Sequence, residues 1–263
     1  MQLVVQTYKK GIPNGLGDFL RSSFANFVYC YHSGDYKYDM YFKDGIFEKT
    51  FESIELLDRP FRHISTCDFK AMLKSNEEIY KEDEIMAYKT FLEKRMSERL
   101  KERIHRLSPK TSFDAIHIRT GDHFTPIYKP DIRCKEDIAI GILETFLKNK
   151  KLNNPVLFTD SSILKDIVMQ REMPIKIIFS IPLHTAYNNC KEVDKIDVID
   201  SVAEFFIMGR ADKIFTFSST DGYERLSSYS LMSSFIYDKP IYNVNKSCQV
   251  KAIDKQKAIF YVT

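Results

Sequence analysis

The sequence is short of the features that announce specialised classes. Its 263 residues hold nine glycines, nine prolines and five cysteines, and 39 basic residues nearly balance 36 acidic ones. A mixed net charge of +3 offers no nucleic-acid surface, although it suits a phosphate-bearing small ligand. Cys30, Cys67, Cys134, Cys190 and Cys248 are odd in number and widely spaced, with no CxxC pair, so they read as reduced thiols. No stretch approaches the ~18 apolar residues of a membrane span. The opening MQLVVQTYKK is too short an apolar run for a secretory leader. The expectation is a soluble, cytoplasmic protein without a membrane span.

Several chemical signatures are also missing. GLGDFLRSS lacks the glycine-lysine ending of a P-loop, Gly17 has no third glycine after it at dinucleotide-fingerprint spacing, and no Gly-x-Ser-x-Gly elbow occurs. There is no Asp-x-Asp pair for a metal-dependent sugar transferase. Asp194, Asp197 and Asp200 are three apart, as solvated or capping residues of one helix face would be. His117 and His123 bracket Arg119 with no further clustered ligand, so no metal is expected.

What is present is an ordinary globular composition, 44% hydrophobic and 29% charged, with strands and helices in alternation. QLVVQTY at 2–8 reads as a buried strand, Ile12 to Gly17 as a turn, and Phe19, Leu20, Phe24, Phe27, Val28 and Tyr31 as a helix stripe beginning near Asp18. Strands are expected at 37–42 and 61–66. One long helix is expected from about 76 to 107, with Glu82, Asp83 and Glu84 on a solvated face and Ser108-Pro109 as its stop. Then come strands at 113–118, 155–159, 175–179 and 213–217, alternating with helices at 135–148, 162–171 and 196–210, and finally a helix and a strand FIYD at 235–238. Such alternation implies parallel βαβ units. The expected fold is α/β with two Rossmann-type lobes, 1–108 and 109–263, and a cleft between them.

Ligands of such sheets bind at the carboxyl ends of the strands. The residues following the strands are Gly15 to Gly17, His117 to His123, Thr159 to Ser162 and Thr216 to Gly222, all small, hydroxylated or charged. Facing one cleft, they would suit an anionic, hydroxyl-rich ligand. Arg119 offers a planar fork of donors to a phosphate, or pairs with Asp122. Ser218, Ser219 and Thr220 offer hydroxyls and a helix start to a pyrophosphate, or form an ordinary turn.

HIRTGD at 117–122 resembles the His-x-Arg motif of the GT-B fucosyltransferases, the α1,2/α1,6 and protein O-fucosyltransferase superfamily. NGLGDFLR is similar to their N-terminal loop, and SVAEFFIMGRADKIFTFSSTDGY at 201–223 to their late motif. The resemblance covers three short blocks in the family's order. It departs in Thr120, where several members carry a second arginine, and in Asp18-Phe19 after the glycines, where Asn-Arg or Asn-Gln is common. It implies an inverting, metal-independent transfer of fucose from GDP-fucose to a glycan hydroxyl, with no cofactor. By the resemblance Arg119 matches the pyrophosphate-binding arginine, His117 the motif histidine lining the donor site, and Ser218 and Ser219 the hydroxyls near the phosphates. Glu204 matches the acidic residue of the late helix, with Asp200 and Asp160 as further candidates for the carboxylate that holds the nucleotide. Gly15 and Gly17 would let donor and acceptor approach the backbone. Asp18 is the first general-base candidate, or caps its helix; Asp122 is the second, or orients Arg119. The alternatives are another nucleotide-sugar donor, a nucleotide-sugar binding protein without turnover, and an interaction protein built on the long charged helix.

Overall fold

The computed structural model describes residues 2–7, 15–42, 47–52, 61–64, 80–121, 135–178, 198–217 and 226–261. Two sheets organise them. The first has the order β2-β1-β3, with β1 Gln2–Thr7 paired in parallel to β2 Tyr36–Tyr41 and β3 Phe61–Ile64. The second has the order β6-β5-β4-β7-β8-β9. Its strands are β4 Asp114–Ile118, β5 Val156–Thr159, β6 Lys176–Ile177, β7 Lys213–Phe217, β8 Ile241–Val244 and β9 Val250–Ala252. All its pairings are parallel except β8 with β9. From β4 the chain first builds β5 and β6 to one side, then returns to lay β7 on the other. The carboxyl end of β4 is therefore a topological switch point, where doubly wound sheets open a crevice.

The helices are α1 Leu16–Ser33, α2 Glu82–Lys94, α3 Glu98–Leu107, α4 Glu136–Asn149, α5 Ser162–Gln170, α6 Ile199–Met208, α7 Ser228–Ile236 and α8 Lys255–Tyr261. No described helix is long and apolar enough to cross a membrane. Side chains alternate across a strand, so Ile116 and Ile118 of β4 point to a core with Leu143 and Phe146 of α4 and Leu164 of α5. Ala115 points the other way, into a core containing Phe158, Phe206 of α6 and Leu231 of α7. That second core runs on without interruption into Val4, Leu20 and Phe24 of the first sheet and α1. Helix α6 is buried along its whole length.

Three elements differ from the sequence reading. The long helix is two, broken at Arg95–Ser97: Met96 bridges Phe51, and the Ser97 side chain caps α3 by accepting from the Leu100 amide at 3.2 Å. Glu84 is buried, not solvated. It accepts from the Lys81 amide at 2.8 Å and meets the His32 ring, tying the start of α2 to the end of α1. FIYD finishes α7 and its turn, and the strand is IYNV, beyond Lys239-Pro240. Buried serines on every side of α7 hide the helical period there.

Candidate functional site

The alternation that sends Ile116 and Ile118 to one core sends His117 and Arg119 to the opposite side, at the switch point. They line a cavity together with residues from four other elements. Phe158, Thr159 and Asp160 reach it from the end of β5, Ser201 and Glu204 from α6, residues 15–18 from the start of α1, and residues 227–229 from the start of α7. Gly15, Gly17, Asp18, His117, Arg119, Asp160 and Glu204 are thus brought together. Asp122, Ser218, Ser219 and Thr220 lie outside the described residues. Asp200 is not in the wall. Its carboxylate receives a two-pronged bond from Arg103 of α3, Nε at 2.6 Å and Nη2 at 2.9 Å, which fixes α6 to α3.

The turn after β4 is held by Asp160. Its Oδ1 accepts from the Thr120 amide at 2.8 Å and the Thr120 hydroxyl at 3.1 Å, and its Oδ2 from the Gly121 amide at 3.2 Å. Gly121 has φ 101°, a backbone that a side chain would strain. The Arg119 Nε stands 4.0 Å from Asp160 Oδ2. Asp160 therefore shapes the loop that presents Arg119, with both of its oxygens engaged.

His117 is buried and stacks on Tyr229, ring centroids 5.6 Å apart and planes 25° apart. The Tyr229 hydroxyl donates to the Ser201 carbonyl. Burial, reinforced by the neighbouring Glu204 carboxylate, pushes this phenol well above its usual range, so it stays a neutral donor.

The starts of α1 and α7 meet at the cavity. A Cβ on Gly17 would fall against the carbonyl carbon of Ser228 and the amide of Tyr229, and 2.6 Å from the Ser228 oxygen. The space saved at Gly17 is taken by the backbone of α7, so close packing of two helices, rather than approach of a ligand, requires this glycine. Beside it the Ser228 hydroxyl donates to Asp18 Oδ1 at 2.6 Å, and Arg21 Nη2 lies 3.5 Å from the same oxygen. Asp18 also stands in the first turn of α1, where the helix dipole favours a carboxylate.

Ser227 precedes α7 at the capping position, yet its side chain makes no capping bond. Its hydroxyl is buried in the cavity wall, with no hydrogen-bond partner among the described residues. The first amides of a helix have no partner within it and carry partial positive charge. Two helix starts, Arg119 and an uncommitted hydroxyl thus face one space, a cradle for an anion. Among the described residues no three His, Cys, Asp or Glu side chains gather as a metal site.

The sequence reading did not single out Ser227, Ser228 or Tyr229, nor Lys165, whose Nζ lies 3.1 Å from Glu204 Oε1. Ser227-Ser228 ahead of an apolar run is a helix-start signature, and that signal was available. Nothing in the local sequence marks Lys165.

No known family model and no curated protein matches the chain. Its structure is similar to solved fucosyltransferases. One is the NodZ α-1,6-fucosyltransferase co-crystallised with GDP, at 12% identity and a TM-score of 0.53, over 96% of this chain and 98% of that one. Another is the fucosyltransferase NodZ from Bradyrhizobium, at 12% identity and a TM-score of 0.54, over 97% and 99%. At such identity the likeness is one of fold: the chain has the GT-B-like architecture of these glycosyltransferases.

Proposed function

We propose that this protein is an inverting, metal-independent glycosyltransferase that moves fucose from GDP-fucose to a glycan hydroxyl. The observation that carries the reading is the anion cradle, in which Arg119, Ser227 and the starts of α1 and α7 converge on one cavity at the switch point. Such a cradle suits a diphosphate, the group on which negative charge builds as the sugar leaves. Donors fixed before the reaction stabilise that charge without reorganising. The NodZ structure co-crystallised with GDP supports the choice of nucleotide.

In this reading the lobe of residues 109–263 holds the donor and the lobe of residues 1–108 faces the acceptor. The acceptor oxygen attacks the anomeric carbon, the bond to the diphosphate breaks on the opposite side, and Asp18 takes the hydroxyl proton. Asp18 lies at the cavity on the 1–108 side and its side chain is 36% exposed. A second reading rests on Asp18 too. The bond from Ser228 already gives its carboxylate a structural task, which fits a nucleotide-sugar binding protein without turnover.

Calorimetry with GDP, GDP-fucose, UDP and ADP in EDTA tests the donor site. Selective GDP binding is expected, weakened in Arg119→Ala by about 10- to 100-fold, the worth of a charge-assisted contact. Absence of nucleotide binding by a folded sample removes the reading, and preference for another nucleotide removes fucose. Transfer to an acceptor panel, compared between wild type and Asp18→Asn, separates enzyme from binding protein.

A further inference from the structure

Lys165 is a lysine where helix packing asks for an apolar side chain. It lies on α5 beside Leu164 and near Val168, in the stretch that covers the second sheet, and is itself only 5% exposed. Among the described residues its Nζ donates to Glu204 Oε1 at 3.1 Å and to the Ile178 carbonyl at 3.3 Å. A buried ion pair is often no more stabilising than apolar residues of the same volume, so stability alone does not account for this one. The difference between its two members is position. Glu204 stands in the cavity wall and Lys165 stands behind it.

We infer that Lys165 is a positioning residue, which holds Glu204 as a charged, fixed acceptor for the hydrogen-bond-donating part of the ligand. This rests on the nucleotide-sugar reading of the cavity. A carboxylate repels phosphate oxygens, so the diphosphate settles at Arg119 and Ser227, and Glu204 meets a part of the ligand that carries N–H or O–H groups. The ammonium, anchored to the Ile178 carbonyl, supplies the counter-charge from the side away from the ligand. Without it the carboxylate loses that counter-charge and the 3.1 Å bond that Lys165 gives it. Lys165 thereby governs which ligands fit without touching them.

The test is calorimetric titration of GDP and of inorganic pyrophosphate, in EDTA, into wild type, Lys165→Met, Lys165→Arg, Glu204→Gln and the Lys165→Met/Glu204→Gln double variant. Lys165→Met is expected to lose at least tenfold in GDP affinity while its pyrophosphate affinity stays within twofold. Lys165→Arg is expected to restore GDP binding to within threefold of wild type. The double variant, which buries no unpaired charge, is expected to match Glu204→Gln alone, because the lysine acts through the carboxylate. Equal loss of both ligands in Lys165→Met, unchanged GDP affinity, or losses that multiply in the double variant each overturn the inference. Wild type that binds GDP while Lys165→Met binds it equally well overturns only the lysine's role. Wild type that binds no nucleotide overturns the nucleotide-sugar reading and this inference with it.

Discussion

Replacing Gly17 by alanine adds one carbon at the tightest point between α1 and α7. That carbon would lie 2.6 Å from the Ser228 oxygen and still closer to two backbone atoms, where carbon contacts settle near ~3.5 Å. No rotamer change relieves it, because the obstacles are backbone. The helix starts must separate by about 1 Å, and overpacking of this kind costs about 1–3 kcal/mol. Alanine is favoured over glycine within a helix by about 0.5–1 kcal/mol, which offsets part of that cost. The net expectation is a loss of about 1 kcal/mol, or a fall in Tm of roughly 2–4 °C for a chain of this size. Gly141 is the control. It lies inside α4 and a Cβ there meets nothing within 4 Å, so Gly141→Ala is expected to gain about 0.5–1 kcal/mol. Thermal unfolding of both variants, followed by circular dichroism, reads the contrast, and GDP titration reads whether Ser227 and Ser228 have moved. A Gly17→Ala protein that melts at or above the wild-type temperature refutes the claim that helix approach selects this glycine.

Ser227→Ala removes a buried hydroxyl that has no partner among the described residues, so Tm is expected to hold or rise slightly while GDP affinity falls by about 0.5–1.5 kcal/mol, read by melting and calorimetry. Asp200→Asn weakens the bond to Arg103 and is expected to cost about 1–3 kcal/mol in denaturant unfolding while leaving GDP affinity unchanged, because Asp200 is outside the cavity wall. Burial pushes the Cys30 thiol up to about 11, and a raised value means less thiolate at any pH below it. Alkylation at pH 8, followed by mass spectrometry, is therefore expected to spare Cys30 in the folded protein and label it after denaturation.

The parallel strands were legible because they are buried on both faces and read as short apolar runs: QLVVQT, VLFT and KIFTF fall within a residue or two of their expected places. The placement of His117 and Arg119 at the cleft follows from the same pattern, since strand ends in such sheets face the crevice. The break between α2 and α3 was less visible. No glycine or proline marks it, and its cause is a tertiary bridge from Met96 to Phe51, though Ser97 is a capping residue in the right place. Helix α7 was obscured by its surroundings, since a helix buried all round has no polar face to set the period. The duty of Gly17 was beyond sequence reasoning. The two parts of the contact are some two hundred positions apart in the chain, and a glycine that admits a helix looks the same in sequence as one that admits a ligand.

The core shared by the two sheets has a consequence for synthesis on the ribosome. Phe24 of α1 packs edge-on against Phe235 of α7 at 5.1 Å, and the Tyr80 carbonyl accepts from Gln256 of α8 at 3.0 Å. These later partners thus leave the exit tunnel well after the segments that they cover. At typical translation speeds the early half waits on the order of 10 s with its aromatic face open. A holdase that shields residues 16–33 while they wait is the kind of helper to which the yield of this protein is expected to respond.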